Sequence, residues 1–163
     1  VDLKGILDDA VSRHWVLTDD FFSAIHGPKI ESGHVDVALR VKRTSEAFDL
    51  DFQYEGVVKV ECDRCLSPMN QPIHGECSLR AVLGEEDDDD GELLTVSENH
   101  GILDLSWHLY EMLALEIPIR HVHEDGECNE QVLKRLNGED REKQVDPRWA
   151  ALEQLKTKIN NKE

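Results

Sequence analysis

The residues best suited to chemistry are two cysteines, Cys62 and Cys65, which Asp63 and Arg64 separate. Two thiolates at this spacing can bind one tetrahedral zinc ion from a tight turn. A cysteine pair supplies only half of such a site, so the other ligands must come from elsewhere in the chain. The candidates are Cys77, His121, His123 and Cys128.

His123 and Cys128 lie five residues apart, and a turn at Gly126 could direct both side chains to one point. If a metal binds, we therefore predict a site with zinc as the candidate ion and four ligands: Cys62, Cys65, His123 and Cys128. The alternative without a metal is a pair of buried thiols at the end of a strand. Cys77 lies within a strand pattern, where a buried cysteine behaves as a small apolar residue.

Thiol redox chemistry is a third interpretation of the cysteine pair. Redox pairs of this spacing lie where the N-terminus of a helix lowers the thiol pKa. Here a strand-like run at 57–60 precedes the pair and Pro68 follows it, so no long helix begins, although Arg64 could still favour a thiolate. The sequence shows neither a Gly-rich phosphate loop nor an assignable Ser-His-acid triad. We therefore predict a protein that is not an enzyme.

Alternating apolar residues predict a sheet around the cysteine pair. The runs 35–41 and 48–52 have the two-residue period of half-buried strands and should form an antiparallel hairpin, with 57–62 as a third strand beside them. Residues 73–83 and 93–96 indicate two further strands. The sheet thus leads into the cysteine turn and returns from it.

Two apolar runs, 1–6 and 11–17, flank Asp8 and Asp9 and suggest an N-terminal hairpin. A short helix should follow at 18–25, where Thr18 or Asp19 can cap the first amides. The clearest helix spans 104–117. Its apolar stripe consists of Leu105, Leu109, Met112 and Leu113.

Because strands come first and helices later, we predict an α+β fold. It should contain an antiparallel sheet or a partly closed barrel of about five to seven strands, a central helix at about 104–117 and C-terminal helices. We expect a single α+β domain over 1–137. A charged linker and a C-terminal amphipathic helix should occupy 138–163.

The charge balance favours basic partners. Eighteen Lys and Arg residues face 35 Asp and Glu residues, which gives a net charge of −17. Sequence-independent nucleic-acid binding requires the opposite sign, whereas a strongly acidic protein attracts cationic partners. The six consecutive acids at 85–90 predict a mobile loop. Because there is no apolar run of about 20 residues and no signal-peptide pattern, we expect a cytoplasmic protein that does not bind membranes.

A specific order of motifs runs through most of the chain: VECDRCL at 60–66, the acidic loop, ILDL at 102–105, LALEIP at 113–118, HVH at 121–123, Cys128, and DPRWAAL at 146–152. This order resembles the YceD family, also called DUF177, whose members are described as large ribosomal RNA subunit accumulation proteins. The resemblance covers roughly residues 33–155. The segment DDFF at 19–22 is similar to the Bacteroidetes-type members.

The resemblance implies a role in synthesis, processing or stability of 23S rRNA during assembly of the large subunit, and it transfers no catalytic residue. Some relatives carry extra cysteines after the helix in a zinc-like pattern, where this chain has His121, His123 and Cys128. Combined with the charge, it implies a non-enzymatic biogenesis factor that binds a basic large-subunit ribosomal protein or a pre-50S particle. Trp107 and Tyr110 lie off the helix stripe and are predicted to be exposed anchors for this partner.

Two other functions remain open at this point. The first is a zinc-stabilised module that contacts rRNA directly. It would need a local basic patch, and the best cluster consists of Lys29, Arg40, Lys42 and Arg43. The second is a thiol redox protein.

Overall fold

The alternating runs build one six-stranded sheet, seen in a computed structural model that describes residues 1–6, 10–85 and 93–137 and the backbone of 88–89. The strands are β1 Ala10–Leu17, β2 Ser32–Arg43, β3 Phe48–Glu61, β4 Pro68–Gly84, β5 Asp88–Asp89 and β6 Leu93–Ser97. The helices are α1 Asp19–Ile25, α2 Ser106–Leu115 and α3 Glu130–Leu136. The predicted α+β class and the number of strands are confirmed.

The strand order is β1-β2-β3-β4-β6-β5. The first four strands are antiparallel neighbours, whereas β4 and β6 are parallel. β6 lies between β4 and β5 and pairs antiparallel with β5, which forms the edge of the sheet. Asp88 and Asp89, which we predicted to lie in a loop, therefore pair with β6 through their backbones. Part of the acidic run, residues 86–87 and 90, lies outside the described residues.

β3 corrects one prediction. The runs 48–52 and 57–62 are not two strands, because β3 is continuous over 14 residues. The predicted antiparallel hairpin of 35–41 with 48–52 is present, since β2 pairs with β3. Gly56 lies inside this continuous strand. A Cβ at this position would lie 2.6 Å from the Cα of Val35, so the glycine allows β2 to approach β3 closely.

The predicted N-terminal hairpin is also wrong for the described residues. β1 exists, but it pairs with β2 along its whole length. Residues 1–6 form only an isolated bridge, between Asp2 and Ile102, while Leu3 and Ile6 are buried in the core. Alternating buried valines on β2 make it the better partner for β1, because both strands then bury the same face.

The core joins the inward side chains of the sheet to α1 and α2. α2 is shorter than the predicted 104–117, but its predicted apolar stripe is buried. Asp104 lies before the helix, and its Oδ1 accepts hydrogen bonds from the backbone N of Ser106 at 2.9 Å and from its Oγ at 2.7 Å. These bonds lower the pKa of Asp104.

The end of α1 is shaped by Tyr110 of α2. His26 adopts the left-handed conformation that ends the helix, with φ 53°. Gly27 follows, and a Cβ there would overlap the ring of Tyr110. The hydroxyl of Tyr110 accepts a hydrogen bond from the backbone N of Lys29 at 2.9 Å. Gly27 thus lets the ring pack directly against the backbone.

The compact unit that contains the sheet covers Val1–His123, and a second unit begins at Glu124. We expected one domain over 1–137, and the predicted linker and helix at 138–163 lie outside the described residues. In the second unit, Asn129 caps α3, since its side chain accepts a hydrogen bond from the backbone N of Gln131 at 3.0 Å. No helix in the described ranges is long and apolar enough to cross a membrane.

Candidate metal centre

The turn between β3 and β4 carries the cysteine pair. The backbone N of Cys62 donates to the carbonyl of Ser67 at 3.0 Å, and the N of Leu66 donates to the carbonyl of Cys62 at 2.9 Å. Both bonds fold the chain back so that Cys62 and Cys65 are buried. The pair joins two strands and does not begin a helix, so the helix N-terminus expected beside a redox pair is not present at this turn.

The structure brings together the four predicted metal ligands. One ligand atom from each of Cys62, Cys65, His123 and Cys128 lies within 4.8 Å of all the others. The three cysteines are buried, and His123 is partly buried. Three thiols and one imidazole form a known donor set for structural zinc. The predicted possibility of a metal site is therefore supported by geometry.

The surroundings of Cys62 favour a thiolate. Burial raises the pKa of Cys62, but hydrogen bonds from the backbone amides of His123, Cys65 and Arg64 outweigh burial and hold this pKa below its ordinary value. The amide of Arg64 lies 3.4 Å from the sulfur. Because a metal-bound cysteine is a thiolate, this ring of donors suits a ligand.

His123 is oriented by its second ring nitrogen. Nε2 lies 3.2 Å from the carbonyl oxygen of Pro68, which can only accept, so Nε2 carries a proton. Nδ1 then faces the sulfur of Cys65 at 3.4 Å. A carbonyl that fixes the far nitrogen is the usual support of a metal-binding histidine. The hydrogen bond with Cys62 raises the pKa of the His123 ring. A metal ion bound at Nδ1 would take the place of a proton on that nitrogen.

The four residues fit a zinc ion without large movement. Zn–S bonds of about 2.3 Å in a tetrahedron place two sulfurs roughly 3.8 Å apart. The observed limit of 4.8 Å therefore requires an inward shift on the order of 1 Å or less. All four positions would be filled by protein, which is the pattern of structural rather than catalytic zinc.

The other two candidate ligands lie outside this cluster. Cys77 is on β4 opposite Phe52 and is partly buried. His121 has its Nδ1 2.9 Å from the carbonyl of Pro118. Neither residue belongs to the group of four.

Sequence reasoning missed Asp63. Its carboxylate accepts a hydrogen bond from the backbone N of His121 at 2.8 Å, and its own N donates to the carbonyl of His121 at 3.0 Å. These two hydrogen bonds attach the segment after α2 to the cysteine turn and so position His123. The two residues are 58 positions apart, and no local pattern connects them.

Only one of the two predicted partner anchors is exposed. Tyr110 is 3% exposed and packs against Gly27, so the prediction of an exposed anchor is wrong for this residue. Trp107 is 49% exposed and stacks on Tyr110 with ring centroids 5.4 Å apart. Its role in partner binding stays a prediction.

Comparison with known proteins identifies the family. Residues 50–156, well over half of the chain, match the family described as "Large ribosomal RNA subunit accumulation protein YceD". No curated protein and no solved structure matches the chain. The matched span contains the whole cysteine turn, α2 and the segment that carries His123 and Cys128. The chain therefore belongs to the YceD family.

Proposed function

We propose that this protein supports accumulation of the large ribosomal RNA in the cytoplasm by binding a basic protein of the large ribosomal subunit, free or within an assembling particle. The family description names the process. The observation that selects the mode of contact is the net charge of −17. Acidic surfaces repel phosphates and attract chains rich in Lys and Arg.

The charge acts mainly on the rate of encounter. Long-range attraction raises association rates, whereas desolvated apolar contacts decide how long a complex lasts. A working interface therefore needs apolar side chains in addition to acids. Trp107 offers one such side chain, since its indole Nε1 donates to Glu111 at 2.7 Å and half of the residue is open to solvent.

In this proposal the metal centre has a structural role. Zinc held by Cys62, Cys65, His123 and Cys128 would fasten the turn between β3 and β4 to the segment that follows α2. A closed set of four protein ligands leaves no position for a substrate. The metal would supply folding energy, because such ligands are brought together only in the folded state.

Direct contact with rRNA is the alternative, and the sheet argues against it. In the register of β2 and β3, Arg40 lies opposite Asp51 and Lys42 lies opposite Asp49, whose carboxylate also pairs with Arg80 at 2.9 Å. Cross-strand neighbours of opposite charge compensate each other. Arg43 donates to the carbonyl of Ile6 at 3.1 Å and lies over the ring of Phe48. Acids thus lie opposite two of the four basic residues, and the guanidinium of Arg43 is engaged within the fold.

The test is a set of titrations with the full chain. The probes are fragments of 23S rRNA and individually purified basic proteins of the large subunit, each measured at low and at high salt. We expect at least one ribosomal protein to bind with a salt-dependent association rate, and we expect naked rRNA to bind more weakly. Tight binding to rRNA without affinity for any ribosomal protein would overturn the proposal in favour of direct contact.

A further inference from the structure

An open groove of about 430 Å³ lies beside the cysteine turn, within the unit Val1–His123. Four parts of the chain bound it: the end of β3, the cysteine turn, the segment after α1 and the segment after α2. Its apolar lining consists of Pro28, Val60, Leu66, Ile117 and Ile119. The metal centre supports one wall, since Cys62 also lines the groove.

Two large apolar side chains of this groove face solvent. Leu66 is 70% exposed and Ile119 is fully exposed. Leu66 also adopts a left-handed backbone conformation, with φ 57°, which an L-residue with a side chain adopts only at a cost in stability. A strained residue whose side chain adds little to the core indicates a use other than folding.

Ile119 is held in place by the backbone around it. Two residues further on, the backbone N of His121 donates to the carboxylate of Asp63, and the carbonyl of His121 accepts from the backbone N of Asp63. The ring of His121 lies 2.9 Å from the carbonyl of Pro118. These hydrogen bonds attach the segment to the cysteine turn just C-terminal to Ile119. Its exposure is a feature of a bonded segment and not of a free loop.

The charges of the groove select a cationic occupant. Its ionic lining consists of three carboxylates, Glu31, Glu61 and Asp63, and one ammonium group, Lys29. Glu31 and Glu61 form no ion pair with another residue in the described part of the chain. Asp63 already accepts a hydrogen bond from the backbone N of His121 and lies 3.5 Å from Nδ1 of its ring, so Glu31 and Glu61 offer the open carboxylates. An incoming Lys or Arg next to an apolar side chain would match both components of this lining.

We propose that this groove docks a segment of a basic large-subunit ribosomal protein, with an apolar side chain between Leu66 and Ile119 and its Lys or Arg residues against Glu31 and Glu61. This inference rests on the proposed function and names the surface on which the partner binds. A polynucleotide fits poorly, because phosphates would face three carboxylates.

The experiment compares variants in the same titrations with purified basic ribosomal proteins. We expect Leu66→Gly and Ile119→Ser each to raise the Kd about tenfold, which corresponds to a loss of about 1.4 kcal/mol of binding free energy. Glu31→Gln and Glu61→Gln should each slow association at low salt. The matched controls are Ile102→Ser, an exposed isoleucine outside the groove, and Glu98→Gln. Both controls should bind as the unmodified chain does. Leu66→Gly keeps the backbone conformation of the turn, so its metal content should stay unchanged.

The outcomes separate the two proposals. If a ribosomal protein binds and the groove variants bind it with unchanged Kd, the groove is not its docking surface, although the proposed function stands. If no basic ribosomal protein binds the unmodified chain, the proposed function fails and the groove inference fails with it. If the groove variants instead weaken rRNA binding, or abolish self-association in sedimentation experiments, the occupant is RNA or a second copy and the inference is overturned.

Discussion

Leu66 occupies a position where glycine would fit the backbone better. The left-handed conformation costs an L-residue roughly 1–2 kcal/mol, and glycine avoids this cost. We expect Leu66→Gly to raise the free energy of unfolding by about 1 kcal/mol in urea denaturation. Leu66→Ala is the control, since it removes the exposed side chain but keeps the Cβ and should bring no such gain. A Leu66→Gly protein less stable than Leu66→Ala would contradict the assignment.

The metal prediction is also decided by single residues. We expect Cys62→Ser to lose the bound metal and Cys77→Ser to keep it, because only Cys62 belongs to the cluster of four ligand atoms. Metal analysis of protein purified without a histidine tag measures both. A chelator should lower the unfolding temperature of the Cys77→Ser protein. Folded, metal-free protein from cells grown with added zinc would rule out the site.

Much of this candidate site can be predicted from residue types and spacing. A Cys-x-x-Cys turn limits the ligand geometry, and few cysteines and histidines follow it, so His123 and Cys128 could be chosen from a short set. The hydrogen bonds that support the site could not be predicted. The amides around the sulfur of Cys62 and the carbonyl that fixes His123 come from the backbone, whose direction is not visible in the sequence.

At the start of α2, Asp104 contributes a pH-dependent stabilisation. Its folded-state pKa is lowered by the Ser106 bonds, so its contribution is present above its ordinary pKa and is lost as the pH falls through the lowered value. We expect Asp104→Ala to cost about 1 kcal/mol at neutral pH, the usual net contribution of an intramolecular hydrogen bond.

Denaturation at several pH values checks this contribution of Asp104. The difference between the unmodified chain and Asp104→Ala should shrink below about pH 4. Asp104→Asn retains an acceptor oxygen without a titratable group, so it should lose less stability at neutral pH. A difference that stays constant to low pH would exclude a contribution from the ionised carboxylate of Asp104.

The packing of α1 against α2 depends on Gly27. An added Cβ would overlap the ring of Tyr110. Because this ring is buried in the core, it cannot move aside easily. We expect Gly27→Ala to destabilise the fold by roughly 2–3 kcal/mol, as overpacking in a core does. Thermal unfolding measures the loss. In the double variant Gly27→Ala with Tyr110→Ala the clash is absent, so the alanine at position 27 should cost much less there.

The errors at the level of elements have one cause: alternation identifies strands but not their partners. The run 11–17 is a strand as expected, yet β2 offered it a buried face that residues 1–6 could not. Gly56 resembles a turn signal, but the alternation of 48–60 passes through it in phase. Strands, helix stripe and class were therefore predictable, whereas strand pairing required the packed structure.

The charge of −17 should affect the stability of the whole molecule. Like charges repel in the compact state more than in the expanded one, so screening them should favour the folded chain. We expect the unfolding temperature to rise from about 10 mM to about 150 mM NaCl, as the Debye length falls from about 30 Å to about 8 Å. A decrease would show that attractive ion pairs outweigh the repulsion.

The continuity of β3 restricts which insertions and deletions the chain can accept. Successive strand residues face opposite sides of a sheet, and the buried alternation from Phe48 to Val60 extends one step further to Cys62. One residue inserted after Gly56 would direct this thiol to the opposite face. Two inserted residues would restore the face but displace the sulfur by about 7 Å. Length variation among relatives should therefore concentrate in the turn between Thr44 and Ala47, where no ligand depends on parity.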